Sequence, residues 1–335
     1  MSETSLQPSS LQPRSWRRTA AQDMIAVLIV AAIAVVLYFV FPTNLALLTR
    51  IVAVMLLVLS IDLVTGYSGV ATLGHATLFG AGAYAAGIAA AKFGITDPLL
   101  MLTIGAIAGS IAGAISSLII LRGHGLSQLV LSIAIVSLVH EGANKLSAWT
   151  GGSDGLSGIA PSPLLGMFRF DLFGRTAFIM AIVLLLVVFL VLRIIVRSPF
   201  GMLCRGIKQD PVRVRAMGAP VYFTLVKMYA ISGAVAGLGG ALSAIATKVV
   251  GLDSVSFTLS AEALVMLVLG GVGKLYGAMV GTLVFVWFED RVSAINPFHW
   301  LTIVGALLVV VVLFAPKGLT GTAESLWKRM RGGRS

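Results

Sequence analysis

Long runs of apolar residues alternate along the chain with short polar stretches that are rich in glycine or in basic residues. Three of these runs, residues 24–41, 104–121 and 177–192, contain no charged side chain. As helices rising about 1.5 Å per residue, such runs approach the thickness of a bilayer core, which is roughly 30 Å. The pattern therefore predicts a protein that crosses a membrane several times.

The same pattern predicts an all-α transmembrane helical bundle of about ten spans. Two late segments hold only about fourteen residues each, roughly 21 Å of helix, so short, broken or tilted helices are expected. Composition agrees, since 58% of the residues are hydrophobic and 11% are charged, against about 25% charged in soluble domains. The predicted spans are residues 24–41, 45–65, 76–92, 98–121, 126–140, 176–196, 228–247, 258–271, 275–289 and 298–315.

Basic residues set the predicted orientation of the bundle. The chain carries 24 Lys and Arg against 13 Asp and Glu, a net charge of +11, which in a soluble protein would suggest nucleic acid as a partner. Here the basic residues gather before residue 24, between residues 197 and 227, and after residue 316. Because cytoplasmic loops of membrane proteins are enriched in Lys and Arg, all three regions and both termini are expected in the cytoplasm.

The expected organisation is a cytoplasmic tail over residues 1–23, a transmembrane domain over 24–316 and a basic cytoplasmic tail over 317–335. Within the domain, residues 197–227 form a cytoplasmic loop and residues 141–175 form an outer loop. The first tail is polar and is expected to be disordered. A cleaved signal peptide is the alternative for the N-terminal region, but the apolar run continues to Phe41, further than such a signal extends.

Glycines at helical spacing predict close packing between helices. A glycine at every fourth position places all members on one helix face, where another backbone can approach. Glycine is also common in membrane helices generally, so the repeats indicate a packed bundle and not a function. The repeats are Gly105, Gly109 and Gly113, Gly233 and Gly237, and Gly277 and Gly281.

Two further glycine clusters carry polar residues and interrupt apolar runs, at residues 66–75 and 269–275. Irregular backbone within a membrane persists only where protein or water satisfies its amide groups, and paired interruptions indicate a transport path. The second cluster is not an ATP site, because Val268 and Leu275 stand where a phosphate-binding loop needs glycine and Ser or Thr. One cysteine and four histidines give no zinc-like spacing, so no metal or other cofactor is predicted.

Asp62, His75 and Glu262 are ionisable residues within or beside apolar segments. A charge at mid-membrane costs about 2.5–3.5 kcal/mol, so these groups should face the bundle interior or an interface. Asp62 fits either the lining of a cavity or a hydrogen bond to a neighbouring helix, and both interpretations stay open. A helix cap or an interhelical hydrogen bond is favoured for His75, and capping alone accounts for Glu262. The adjacent His140 and Glu141 do not share a helix face, so no catalytic dyad and no enzymatic activity are predicted.

The segment from Arg197 to Gly218 is basic and amphipathic, and it follows a helix that ends near Pro199. Such a segment binds either anionic lipid or a partner protein, and its residues leave both open. On the outer side, residues 150–156 are rich in turn formers, a composition that favours a simple connection over a gate.

Six segments also stand in a familiar order: GYSGVATLGHATLFGAGAY (66–84), TGGSDGL (150–156), RSPFGMLCRGIKQDPVRVRAMG (197–218), SGAVAGLGGAL (232–242), LGGVGKLYGAMVG (269–281) and APKGL (315–319). Together they resemble the inner-membrane permease subunit of branched-chain amino acid ATP-binding cassette (ABC) importers. The resemblance covers residues 24 to about 320. Two departures are Pro211, where the family continues with alanines, and Ala278, where it has proline. Because proline breaks a continuous helix, a coupling helix is expected to start at Pro211.

The resemblance implies three groups of functional residues. The translocation path is expected to include Ser68, Gly69, Thr72, Leu73, Gly74, His75, Glu262, Gly270, Gly271 and Gly273. The outer-loop group is Thr150, Gly151, Gly152, Ser153, Asp154 and Gly155. The ATPase-coupling group is Arg197, Ser198, Pro199, Gly201, Arg205, Lys208, Asp210, Arg213, Met217 and Gly218.

The function implied by the resemblance is that of a transport subunit in the bacterial inner membrane. Its partners would be a second permease of similar fold, two cytoplasmic ATPases that bind the ATP, and a periplasmic solute-binding protein. The solute would be a branched-chain amino acid or a related small molecule such as urea or a short amide. The rival hypothesis is an ion-coupled secondary transporter that uses Asp62, His75 and Glu262.

Overall fold

The computed structural model describes residues 44–164 and 174–295, together with single positions between 30 and 40 and between 302 and 322. Within these residues the regular secondary structure is helical, and extended backbone pairs at an isolated bridge between Leu156 and Val250. The predicted all-α class is confirmed for this part of the chain.

Apolar composition and glycine or proline punctuation account for the helix boundaries. Pro98, Pro199 and Pro211 each stand at the first position of a helix, where the missing amide hydrogen costs nothing. The α-helices are α1 Leu45–Ile61, α2 His75–Phe93, α3 Pro98–Ile120, α4 Leu126–Lys145, α5 Ser147–Thr150, α6 Arg175–Arg197, α7 Pro199–Gln209, α8 Pro211–Ala216, α9 Val221–Thr247, α10 Phe257–Gly270 and α11 Leu275–Ile295. A π-helix, Asp62–Tyr67, continues α1, and 3-10 turns occupy Gly152–Asp154 and Leu252–Val255.

Five of the described helices are long and apolar enough to cross a membrane: α1 with its π-helical extension, α3, α4, α6 and α9. The pair α10 and α11 is bent by 116° and counts as a sixth span if taken together. The helix predicted at residues 76–92 is present as α2, in which glycine and alanine predominate. Most positions of the predicted spans 24–41 and 298–315 and of the two tails lie outside the described residues. About ten spans and cytoplasmic termini therefore stay predictions.

Contacts between the connecting segments define two ends of the bundle. At one end, here called the basic end, α7 meets the π-helix through a hydrogen bond from Lys208 Nζ to Gly66 O (2.6 Å). At the other, the loop end, the amide of Ser162 donates to Thr96 O (2.8 Å), and Leu156 pairs with Val250. Successive long helices therefore run in alternate directions between the two ends.

The centre of the bundle is α9, which packs against α1, α2 and α3. Its glycines permit this packing, because a Cβ atom added at Gly237 would overlap the carbonyl oxygen of Gly105. One added at Gly233 would overlap the carbonyl oxygen of Gly109 in the same way. A second seam joins α10 to α11, where Gly270 lies against the backbone of Gly277 and Gly281. The predicted glycine seams are confirmed.

Candidate translocation and coupling site

The π-helix places a carboxyl group at the basic end of α1. Asp62 is fully buried, and its Oδ1 accepts a hydrogen bond from the backbone amide of Gly273 (2.6 Å). Among the described residues its Oδ2 has no hydrogen-bond partner. Two interpretations of Asp62 were open, a cavity lining and a hydrogen bond to a neighbouring helix. The structure contains a hydrogen bond, and its donor is Gly273 in the break between α10 and α11. Single π-helical turns are rare and occur frequently at functional sites.

Glycine is required where the π-helix meets the break between α10 and α11. A Cβ atom added at Gly66 would overlap the Asp62 carboxylate and would lie 2.7 Å from the nitrogen of Gly273. On the other side, Gly271 and Gly273 have φ values of 116° and 82°, which favour glycine because other residues are strained there. The two polar glycine clusters of the sequence are thus in direct contact.

Ser68 and Gly69, assigned to the path from the sequence, pack at the basic end. Ser68 is buried, and its hydroxyl donates to Leu63 O (3.1 Å). A Cβ atom added at Gly69 would lie 2.8 Å from Cγ of Lys208 on α7. Nearby, the guanidinium of Arg205 lies 5.1 Å from the centre of the Tyr67 ring, within the range of a cation–π interaction. The structure therefore brings the start of this segment to the basic helix α7.

His75 takes part in a buried chain of hydrogen bonds between three helices. Its Nε2 lies 2.9 Å from Oγ of Ser232 on α9, and that hydroxyl donates to Ser60 O on α1 (2.7 Å). Since a hydroxyl has one hydrogen, it accepts from the Nε2–H group of His75. The interhelical hydrogen bond favoured for His75 is confirmed.

The turn before His75 is fixed by other hydroxyl groups. The amide of Leu73 donates to Ser132 Oγ on α4 (3.0 Å), and the amide of Gly74 donates to Thr72 Oγ1 (3.1 Å). At the start of α2, the amide of Ala76 donates to Ser260 Oγ on α10 (3.0 Å). The N-terminal end of α2 and the first turn of α10 are therefore neighbours inside the bundle.

Glu262 does not cap α10. The cap is Ser256, whose hydroxyl accepts from the amide of Leu259 (3.1 Å), so the capping explanation for Glu262 is wrong. Glu262 is half-buried one turn further along, where its carboxyl group interacts with Glu289 and Arg50. Arg50 also forms an ion pair with Glu289 at 3.4 Å. No sequence pattern indicates this cluster, since its members lie on three separate helices.

The outer-loop residues form a compact turn. Oγ1 of Thr150 donates to Ala143 O (2.5 Å), and Gly151, Gly152 and Gly155 all have positive φ. A Cβ atom at Gly151 would overlap the backbone of Gly155. Ser153 and Asp154 are exposed at its surface. This geometry agrees with the connecting role that the composition favoured.

The basic segment folds as two short helices rather than one. Ser198 caps α7 by accepting from the amide of Gly201 (3.3 Å), and Gly201 packs against the backbone at the end of α6. Oδ1 of Asp210 caps α8 by accepting from the amides of Val212 and Arg213, both at 3.0 Å. The predicted helix start at Pro211 is confirmed, and Gly218, which follows the end of α8, has a positive φ of 85°.

One face of these two helices is buried and the other is exposed. Cys204, Ile207 and Val214 belong to the core of the protein. On the outer face, Val212 and Met217 are exposed by 74% and 71%. Arg197, Arg205 and Arg213 lie on or beside this segment as well, and all three are exposed. The segment therefore presents apolar and basic side chains away from the bundle.

Cys204, the single cysteine of the sequence, is expected to react slowly with thiol reagents in the folded protein. Burial raises the pKa of its thiol from the ordinary value near 9 to about 11, and a hydrogen bond with Ser68 offsets part of this effect. Only the thiolate reacts, and with this pKa about 0.1% of the Cys204 side chains are ionised at pH 8. The rate of labelling should therefore increase about tenfold per pH unit up to about pH 10.

Mass spectrometry of the protein after treatment with N-ethylmaleimide measures this reaction. The detergent-solubilised protein is compared with a sample unfolded in sodium dodecyl sulfate, which should be labelled at the ordinary rate. Labelling of the folded protein at that same rate at pH 8 would contradict the burial of Cys204.

The chain has several apolar helices long enough to span a membrane, and a broken helix pair that contacts a glycine-rich turn. These features are typical of helical membrane transport proteins. Residues 43–313 match the family model described as "Branched-chain amino acid transport system / permease component", and the chain belongs to this family. The resemblance inferred from the six sequence segments is confirmed.

Curated relatives carry the same description. The chain is 25% identical over 282 residues to the high-affinity branched-chain amino acid transport system permease protein LivM of Escherichia coli, covering 78% of this chain and 66% of LivM. It is 26% identical over 294 residues to BraD of Pseudomonas aeruginosa, covering 80% of this chain and 92% of BraD. LivH of Escherichia coli matches at 30% over 137 residues, or 40% of this chain and 44% of LivH. No solved structure matches the chain.

The match to LivM thus spans just under two thirds of that protein. Two different permease proteins of one organism, LivM and LivH, both resemble this chain. Both are described as permease proteins of a branched-chain amino acid transport system.

Proposed function

We propose that this chain is one of two permease subunits of an ABC importer in a bacterial inner membrane, and that the importer carries branched-chain amino acids or related small solutes. The observation that carries the proposal is the family match over residues 43–313. The relatives LivM and BraD support branched-chain amino acids as the solute class, since both are permease proteins of branched-chain amino acid transport systems. The related small solutes of this proposal include urea and short amides.

The chain itself is proposed to bind no ATP and to catalyse no reaction. ATP binding and hydrolysis belong to two cytoplasmic ATPases, which would dock on the exposed face of α7 and α8. A periplasmic binding protein would deliver the solute at the loop end. Docked ATPases would then shift the permease pair between outward-open and inward-open states, which requires that they bind the two states with different affinity.

The proposed solute path runs beside the N-terminal end of α2. There, Thr72, Leu73 and Gly74 precede the first turn of the helix, next to Ser260 on α10. The N-terminal end of a helix favours a negatively charged group such as the carboxylate of an amino acid. Ser68 and Gly69 at the basic end, and Gly270, Gly271 and Gly273 at the helix break, would lie further along the same path. Glu262, two residues after Ser260 on α10, would contribute from its cluster with Glu289 and Arg50.

The test is uptake into proteoliposomes that contain the permease pair, its ATPases and the solute-binding protein. We expect ATP-dependent accumulation of radiolabelled leucine, isoleucine or valine, and we include urea and a short amide as competitors. An inactive ATPase variant serves as the control. Accumulation by this chain alone under a proton or sodium gradient, without nucleotide, would contradict the proposal and favour an ion-coupled transporter that uses Asp62, His75 or Glu262.

A further inference from the structure

Three parts of the chain that are far apart in sequence meet at the basic end of the bundle. They are the π-helix after α1, the basic helix α7, and the break between α10 and α11. Four residues make the contacts, and they are here called the junction: Asp62, Gly66, Lys208 and Gly273. Among residues from different segments, Lys208 and Gly273 are nearest in sequence, and 65 positions separate them.

The contacts of the junction form a continuous series. The ammonium group of Lys208 donates to the carbonyl oxygen of Gly66 at 2.6 Å. One turn earlier in the same π-helix, Oδ1 of Asp62 accepts from the amide of Gly273 at 2.6 Å. The first of these bonds has a charged donor, and such bonds are stronger than bonds between neutral groups.

The packing around these bonds leaves little space for independent movement. Gly66 is in contact with both Asp62 and Gly273, and any side chain larger than hydrogen would overlap them. The carbon stem of Lys208 lies against Gly69, at the end of the same turn. A displacement of α7 would therefore either break the contacts to Gly66 and Gly69 or move the π-helix with it, and a displacement of the π-helix would act in the same way on the helix break.

The two ends of this series differ in what they face. On one side, α7 is followed by α8, where Val212 and the adjacent Met217 are exposed. On the other side, the break ends α10 and starts α11, a pair bent by 116°. Ser260 on α10 accepts from the amide of Ala76 in the first turn of α2, so a movement of α10 acts directly on the N-terminal end of α2. The junction lies between an exposed surface and the interior of the bundle.

We propose that the contacts from Lys208 to Gly66 and from Asp62 to Gly273 transmit movement of α7 to the break between α10 and α11. Lys208 and Asp62 are positioning residues in this scheme, since they hold backbone groups and need not touch the solute. The inference rests on the proposed function only where it concerns ATPases. The mechanical connection itself is a property of this chain alone.

The first experiment tests the connection without any partner, by hydrogen–deuterium exchange of the purified full-length chain in detergent. Lys208→Met removes the ammonium group and keeps most of the stem on Gly69. Although Lys208 does not bond to residues 271–274, we expect their amides to exchange about tenfold faster in this variant, because a lost contact at α7 loosens the break. Lys227→Met is the control, since Lys227 is an exposed lysine near the basic end but outside the junction.

Asp62→Ala is the second variant and shows whether the method detects a loosened break. It removes the acceptor of the Gly273 amide directly, so exchange at residues 271–274 must increase. If Asp62→Ala increases this exchange and Lys208→Met leaves it at the level of Lys227→Met, the two contacts are independent and the inference is overturned.

The second experiment adds the ATPases and measures ATP-driven solute uptake per bound ATPase in proteoliposomes. For Lys208→Met we expect a decrease of about tenfold relative to the Lys227→Met control, which is a coupling effect of ordinary size. Unchanged uptake per bound ATPase would overturn the role of the junction in transport. Absence of ATP-driven uptake in the unmodified complex would instead contradict the proposed function, and the exchange experiment would still decide whether the connection exists.

Discussion

A Gly237→Val permease is expected to fail to fold into a stable bundle. A Cβ atom at this position would overlap the carbonyl oxygen of Gly105 on α3, and Gly82 on α2 lies against the other side of Gly237. Because backbone atoms cannot move aside as a flexible side chain can, we expect destabilisation of at least about 3 kcal/mol. The measurements are the yield of monodisperse protein in detergent and its thermal stability.

Gly142→Val is the matched control for this substitution. Gly142 also lies inside a long helix, α4, but no atom beyond the backbone of its own helix lies within 4 Å of a Cβ placed there. Both variants carry the same change of side chain and the same loss of glycine. Equal stability of the two proteins would contradict the close approach of α9 to α2 and α3.

Replacing Val212 and Met217 together by aspartate is expected to prevent binding of the ATPases. These two side chains are exposed apolar groups on a segment that otherwise packs firmly on the bundle. A hot-spot side chain of an interface contributes about 2 kcal/mol or more, so the loss of one such anchor should by itself lower the affinity about 30-fold. The measurement is the amount of ATPase that co-purifies with the permease.

Val249→Asp is the control, because Val249 is also exposed but lies beyond the far end of α9. Full retention of the ATPases by the double variant would contradict docking on α8. Loss of binding to vesicles of anionic lipid, with retention of the ATPases, would instead identify α8 as a lipid-binding helix, the alternative that the sequence left open.

Much of the local structure could be predicted from the sequence because it depends on neighbouring residues. Repeats such as Gly233 and Gly237 define a helix face that another backbone must approach, and the structure places α3 there. Pro211 can only start a helix, and α8 begins at this residue. Glycine clusters predicted the interruption between α10 and α11, although not its angle of 116°. These features follow from the geometry of the backbone itself.

The pairing of polar groups could not be predicted, because it depends on tertiary contacts. Asp62 and Gly273 are separated by 211 residues, and nothing in their spacing indicates that they meet. Likewise, Ser232 is one of several serines in apolar helices, and only the packing of α9 selects it as the partner of His75. The charged neighbours of Glu262, which are Arg50 on α1 and Glu289 on α11, likewise depend on packing between helices that are distant in sequence.

The burial of the one cysteine has a practical consequence for spectroscopy. The native thiol is shielded on the buried face of α7. Cys204 therefore does not have to be replaced before fluorophores or spin probes are attached to introduced cysteines. Single reporter cysteines can be introduced into the natural chain, for instance at exposed Val272 beside the helix break and at Met202 on α7. Distances between two such probes would follow the opening and closing of the protein in a lipid environment.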